Sequence, residues 1–535
     1  MRRDRTLALG IVLLSAAAHA TNVQNGGLVS HVQYGFGGSY ISAVAVNSAG
    51  NMLAVGSLYF GPTGSAPFTT TFTPSGIQTD EATFGAGGDS AAFTYVVNDS
   101  AGNSYIAGKA LGTGTDYDWD INKLKANGAT AWYQQLNGSL NGRDIPCGIA
   151  VDSAGNVFVA GTVNITAAGS SNVAVVKYAP NGSVVWQDLS LGPGGSTASA
   201  MCLAPNGHVY VAGSVAAEFA VMSVNGSGTA QTAVIPGSAI GAATCISSDS
   251  SSNILLGGYT GTLSASVTRF SLLTPTGTVT WTKDFKITNV RTIAAGAQLD
   301  ANGNAIISSL QSTLNNNGFL FGDVGTQLDT YKYDPTKHEL WHNTFAGLSV
   351  SKGLITPGGL VLDKYGDTYI SGGSYFSNMY PNAAYLVKYN SAGTQMFSLY
   401  HGTPGLNETP TSLMIDANSD LYAAGYLQAA GAGYQGLILH WTQAPICNND
   451  TYSVAHNTTL TEGLPGVLAN DTFDKNALVT VHANPAHGTL AMNSNGSFKY
   501  TPTTAFTGTD TFQYTAAKSA GGGISNVATV TVHVT

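Results

Sequence analysis

The most reactive spacing in the chain is His338-Glu339-Leu340-Trp341-His342, an H-E-x-x-H arrangement in which two histidines on one helical face share a zinc ion beside a glutamate base. That chemistry requires a helix. Asp334-Pro335 reads as a turn just before the motif, and Trp341 falls where other segments place a tryptophan on a strand. On a strand rising about 3.3 Å per residue the two imidazoles stand about 13 Å apart, too far to share one metal. Asp116, Asp118 and Asp120 begin like a calcium loop, but Ile121 stands where glycine is needed and Asn127 where the closing glutamate belongs, which excludes an EF-hand. Asp120 and Asp329 are read instead as turn residues ahead of strands. Cys147, Cys202, Cys245 and Cys447 form no C-x-x-C pair, so they are expected as structural disulfides or buried thiols.

A third set of acids recurs. Asp99, Asp152, Asp249, Asp300, Asp363 and Asp416 each open an Asp-x-x-Gly-Asn turn or a variant of it, with Asn47 and Ala204 at the same place in two further copies. Six carboxylates in register could form an ion ring, but an Asp that bonds its own backbone two residues on explains every copy as a turn. Replacement by Asn and Ala fits a tolerant turn better than a symmetric ion site. No G-x-S-x-G elbow or phosphate-cradling loop accompanies them.

These turns lie in repeats. The clearest copy runs from Val151 to Gly161, an apolar stretch, the turn, then Val157-Phe158-Val159-Ala160 and a small residue. The turn-closing residues Asn51, Asn103, Asn156, His208, Asn253, Asn304, Asp367 and Asp420 recur about every fifty positions, a period that encodes stacked supersecondary units. A second turn and a strand follow in several copies, carrying Trp132, Trp186, Trp281 and Trp341. Each unit therefore reads as four short strands, the blade of a β-propeller. Strands such as Val209-Tyr210-Val211-Ala212 are apolar on both sides, as stacking between blades demands. The last unit stops near Trp441, short of a fourth strand, while residues 28–36 supply a strand without a unit. The N-terminal strand is expected to close the ring, with eight blades favoured and seven the alternative.

Charged residues make up 9% of the 535 and glycine accounts for 66, against about 25% and about 7% in an ordinary domain. A net charge of −9 with only 20 Lys and Arg argues against nucleic acid. Arg2, Arg3 and Arg5 precede an apolar run closed by Ala18-His19-Ala20, the pattern of a secretory signal peptide over residues 1–20. No later segment is long and apolar enough to span a membrane.

The Asp-x-x-Gly-Asn-x-Tyr-x-x-Gly type of segment resembles the bacterial β-propeller repeat family called SBBP, over roughly residues 28–443. That resemblance implies a scaffold of exported proteins and no particular activity. After Gln443-Ala444-Pro445 the rhythm changes, which sets a propeller at 21–445 and a second module at 446–535. Phrases such as Gly466-Val467-Leu468-Ala469-Asn470-Asp471, Gly496-Ser497-Phe498-Lys499-Tyr500 and Gly508-Thr509-Asp510-Thr511-Phe512 read as short strands of an immunoglobulin-like β-sandwich. They resemble bacterial immunoglobulin-like, cadherin-like modules. Some relatives of that type bind calcium, so the resemblance makes Asp450, Asp471, Asp474 and Asp510 candidate oxygen ligands, with turn formation as the alternative role.

The fold class is thus all-β. The leading functional expectation is an exported, noncatalytic binding or adhesion protein, secreted or at the cell surface with the periplasm possible, whose propeller face contacts extracellular protein or glycan. The rival is a propeller enzyme acting on polysaccharide, a lyase or glycosidase, whose acid and base would come from different blades. The lining of the central channel discriminates: clustered ionisable groups for an enzyme, small apolar and hydroxyl residues for a scaffold.

Overall fold

The computed structural model describes residues 27–535 except 35–37, 60–63, 75–76, 85–90, 112–115, 139–141, 166–170, 193, 235–239, 262–266, 287–289, 314–326, 347–354, 375–382, 403–405, 417–418, 430–433, 443–444, 446, 472–476 and 519–523. The expected signal peptide lies outside the described residues. The chain divides into two compact units, one holding His31–Met414 and Tyr422–Leu439, the other built mainly from His440–Thr535.

Among the described residues the first unit consists of four-stranded antiparallel sheets in chain order. The first comprises Ser39–Val46, Met52–Tyr59, Ser65–Phe72 and Gln78–Thr83, and the second Ala92–Asn98, Ser104–Leu111, Tyr117–Leu124 and Thr130–Leu136. Five more follow over 143–191, 197–234, 241–285, 290–345 and 355–401. The eighth takes three strands from Leu406–Ile415, Leu421–Ala429 and Tyr434–Thr442, and its outer strand is Gly27–Tyr34 from the start of the chain. The edge that the last unit leaves open is thereby paired.

Each hairpin is set by its acid. Asp152 accepts the backbone N–H groups of Ala154 and Asn156 on Oδ1, at 3.0 and 2.8 Å, and the Asn156 amide on Oδ2 at 2.8 Å. Asp99, Asp249 and Asp300 repeat this bonding. Each carboxylate is engaged by its own turn, Asp300 meeting the Lys332 ammonium at 2.9 Å as well, and Gly155 at φ 81° provides the left-handed step. Burial acts to raise the Asp99 pKa, but hydrogen bonds from Asn103, Tyr105 and Ala101 outweigh it and hold the carboxyl below its usual range.

The second landmark joins sheets. Trp132 in the outer strand of the second sheet donates Nε1–H to the Pro180 carbonyl at 3.1 Å and covers Gly182, in a turn of the third sheet. Trp186 does the same to Gly226 at 3.0 Å and over Gly228, and Trp341 to Ser391 at 3.2 Å and over Gly393. A tryptophan one blade ahead thus explains why the next turn needs glycine. Trp132→Phe keeps the ring and removes the bond, and is expected to cost about 1 kcal/mol, read as a small fall in Tm.

Second strands are buried throughout, as in Val209–Val215 and Thr368–Ser374, because a sheet covers each face. The apolar clusters pass from sheet to sheet: Leu53, Val55, Ile106 and Leu124 join the first to the second, and Phe158, Val175, Val211 and Met222 the third to the fourth. Tyr422, Ala424 and Ile438 of the eighth sheet share one cluster with Ile41, Met52 and Phe68 of the first, so the series returns to its start.

The second unit packs two sheets. One orders Asp450–Val454, Ala528–Val534, Gly508–Lys518 and Ala477–Ala483, with the first pair parallel; the other holds Leu460–Glu462, Phe498–Pro502 and Gly488–Met492. Phe498, Tyr500, Phe512, Tyr514, Val530 and Val532 fill the space between. No helix of the described residues is long and apolar enough to cross a membrane.

Candidate functional site

The first strand of each sheet forms the inner wall, since consecutive first strands touch one another. Each described pairing of a first strand with its neighbour carries a β-bulge, leaving one residue unpaired and bending the strand. Ser42, Thr94, Cys147, Ser199, Thr244, Ala295 and Gly358 stand at these bulges, all small, and a second irregularity in the third sheet falls at Asp144, between Arg143 and Ile145. The bulge also presses a carbonyl toward the second strand. A Cβ at Gly56, Gly108, Gly213, Gly258 or Gly425 would collide with the carbonyl oxygen of Tyr40, Ala92, Thr197, Ala242 or Thr409. That is why the repeat ends in glycine.

A group of ionisable side chains lies around the second and third sheets. The Tyr117 ring sits between the Lys109 ammonium, 5.1 Å from its centroid, and the Arg143 guanidinium at 5.8 Å. Burial, with the charges of Asp144 and Asp116, pushes the buried Asp118 carboxyl up to about 6. Asp144 is fully buried and accepts the N–H of Gly138 and of Asn164, both at 2.6 Å. Burial pushes Asp120 up to about 7; its Oδ1 accepts the Asn122 amide at 2.5 Å, and its Oδ2 has no partner among the described residues.

Asp120 and Asp329 are not turn residues. The pairing of Ser104–Leu111 extends to Tyr117, so Asp120 is interior to the strand Tyr117–Leu124, and Asp329 is likewise interior to Gln327–Tyr333. Asp329 accepts the Thr344 hydroxyl at 2.7 Å and the Gln311 amide. His342 lies on the strand Glu339–Phe345 and stacks on Tyr331 with ring centroids 4.1 Å apart, while His338 sits in the preceding turn. The H-E-x-x-H spacing therefore brings no second histidine to a metal. Among the side-chain pairs that escaped sequence reasoning are Arg269 with Asp284, two-pronged at 2.7 Å, and the buried His401 with Glu408 at 2.6 Å. Their partners come from different strands, so no local spacing signals them.

The cysteines are free thiols, of which Cys147 and Cys447 are buried. Burial pushes all four thiols up to about 12, which makes them poor nucleophiles at neutral pH. Of the acids read as calcium ligands, Asp474 lies outside the described residues. Asp450 and Asp471 come together: the Tyr514 hydroxyl lies 2.8 Å from Asp471 Oδ2 and 3.3 Å from Asp450 Oδ2. Burial and the neighbouring Asp471 charge push Asp450 up to about 7. Asp510 stands apart, accepting Tyr500 Oη–H at 2.8 Å and the N–H groups of His487 and Ala486 at 2.9 and 3.1 Å. Among the described residues no three His, Cys, Asp or Glu side chains are grouped to hold a metal. Tyr514→Phe removes the hydroxyl set among Asp471, Asp450 and the Val467 carbonyl and is expected to destabilise the module by about 2 kcal/mol, checked by thermal unfolding of the full chain.

A cleft of about 730 Å³ opens between the first and second sheets. Asn47, Asn51, Asn98, Asn127, Thr71 and Ser104 line it, with Met52, Leu53 and Leu124 as its apolar part and Asp80 and Lys125 as its charges. Neutral amides and hydroxyls of this kind can exchange hydrogen bonds with a polar, uncharged ligand.

Comparison with known proteins follows the same division. Residues 131–166 match the SBBP β-propeller repeat family, and residues 442–535 match the bacterial cadherin-like domain family. No curated protein matches the chain. Among solved structures, a protein from Lactobacillus plantarum is 15% identical with a TM-score of 0.39, over 66% of this chain and 97% of that one. The polysaccharide lyase Uly1 is 10% identical with a TM-score of 0.42, over 80% and 94%. A gluconolactonase, XC5397 from Xanthomonas campestris, is 12% identical with a TM-score of 0.32, over 82% and 100%. Scores this low carry no argument about activity. Repeat, turn and sandwich lead to one statement: the chain carries a β-propeller with an SBBP repeat, followed by a bacterial cadherin-like domain.

Proposed function

We propose that this is an exported, noncatalytic binding protein, with an eight-bladed propeller over 21–445 contacting extracellular glycan or protein and the module 446–535 as spacer or second contact. The observation that carries the reading is the distribution of charge. Apart from Asp144, the inner wall presents small residues at its bulges; Asp144 accepts two backbone N–H groups, and Asp99, Asp152, Asp249 and Asp300 are engaged by backbone donors on one oxygen and by side chains on the other. A catalytic acid or base needs a free, reachable oxygen or nitrogen. Retardation of the purified protein in gels containing immobilised glycans supports the reading, and passage through every glycan and protein matrix without delay defeats it. Export is tested by N-terminal sequencing of protein recovered from culture fluid, where Thr21 is the expected first residue.

The enzyme alternative rests on one place, the Lys109, Tyr117, Arg143 and Asp118 group. If polysaccharide is cleaved, Asp118→Ala and Tyr117→Phe abolish turnover. For calcium, Asp450 and Asp471 are the pair an ion would bridge, at the expense of the Tyr514 bonds. Melting the full chain in calcium and in chelator tests this, since an ion stabilises only the state that binds it.

A further inference from the structure

In four turns of the propeller the closing asparagine is held by the opening aspartate. Asn103, Asn156, Asn253 and Asn304 each donate Nδ2 to the aspartate Oδ2 four residues earlier, at 2.8 Å. The first sheet departs from this. Asn47 stands where those aspartates stand, and its Oδ1 still accepts the N–H groups of Ala49 and Asn51 at 3.0 Å. The turn is kept, but an amide NH2 now occupies the place of the second carboxylate oxygen. Among the described residues the Asn51 amide has no such acceptor in its own turn, and both amides line the cleft between the first and second sheets.

The far wall adds two more. Asn127 accepts the Ala129 N–H on Oδ1 at 3.1 Å, and Asn98 accepts the Ser104 hydroxyl on Oδ1 at 2.8 Å. In Asn47, Asn98 and Asn127 the oxygen is fixed by the fold, which sets the amide plane and leaves Nδ2 as the donor for a ligand. Little ordering is left for binding to bring about. We propose that this cleft is a binding site for a neutral, hydroxyl-rich oligosaccharide. Sugar oxygens accept from the amides, and sugar hydroxyls donate to Thr71 in the cleft wall. A polyanionic sugar gains only Lys125 and meets Asp80.

The inference rests on the binding-protein reading and fails separately from it. The exported chain is titrated calorimetrically with neutral gluco-, manno-, xylo- and galacto-oligosaccharides. Asn47→Asp restores the missing acceptor and recaptures Asn51 as the other turns do, so the variant is expected to melt no lower than the parent and to bind at least about fivefold more weakly, the loss of one or more hydrogen bonds. Asn127→Ala is expected to weaken binding by a similar factor, and Asn156→Ala, in the third sheet, to leave it unchanged. Neutral sugar bound equally by the parent, Asn47→Asp and Asn127→Ala overturns the site and leaves the binding reading intact. A parent that ignores all four sugars overturns the ligand class; retention of uronic-acid polymer or peptide then preserves the binding reading, and retention of nothing ends both.

Discussion

Gly213→Ala is expected to destabilise the propeller by about 3 kcal/mol or more, the upper range for forcing extra volume into a packed interior. The new methyl would collide with the Thr197 carbonyl oxygen, backbone on both sides, because the bulge at Ser199 pushes that strand against its neighbour. Neither partner is a side chain that can rotate away. The sixth sheet supplies the control. Ser309 already stands at the position paired with the residue before its bulge, opposite Ala294, so Ser309→Gly is expected to stay within about 1 kcal/mol, the entropic penalty of glycine in a strand. Thermal unfolding of both variants distinguishes steric need from mere preference. An unchanged Tm for Gly213→Ala contradicts the bulge account.

Asp120→Asn is expected to stabilise the protein at pH 8 by on the order of 2 kcal/mol and to do little at pH 4. Burial raises the folded carboxyl from 3.8 to about 7, so the fold disfavours the charged form. Below pH 4 the carboxyl is protonated in both states and no penalty applies. Between about 4 and 7 the unfolded chain ionises first, stability falls as pH rises, and above 7 the full penalty persists. The amide carries no charge and keeps an oxygen for the Asn122 amide, so the variant's profile falls less steeply than the parent's, the remaining slope coming from other raised carboxyls such as Asp118 and Asp450. Melting curves of parent and variant from pH 4 to 8 read the difference directly, and parallel curves refute the buried-charge account.

What the sequence disclosed follows from how local each signal is. The Asp-x-x-Gly-Asn turn is a five-residue object whose bonds close on themselves, and Asp99, Asp152, Asp249 and Asp300 do in space what their spacing implies. The all-buried second strands were equally legible, because nothing but stacking tolerates Val157 to Ala160 on both faces. In the strand Ala528–Val534 the alternation is clean, with Ala528, Val530, Val532 and Val534 buried, while Val527 just before it is exposed. Asp120 misled because polar residues are common in turns, and only pairing with Ser104–Leu111 shows that the strand starts earlier. The bulges, the Arg269–Asp284 and His401–Glu408 pairs and the cleft depend on contacts between strands or sheets, so no single segment carries their signature. Asn47 was visible as a departure from the repeat, but its consequence for Asn51 appears only beside the intact turns.

The central claim is binding without turnover. It is tested most directly by incubating the exported protein at neutral pH with neutral and uronic-acid polysaccharides and following chain length by mass spectrometry, alongside retention of the protein on the same polymers. The account predicts retention with every polymer mass unchanged. Shortened chains that disappear in Asp118→Ala would contradict it and make the Lys109, Tyr117, Arg143 and Asp118 group an active site.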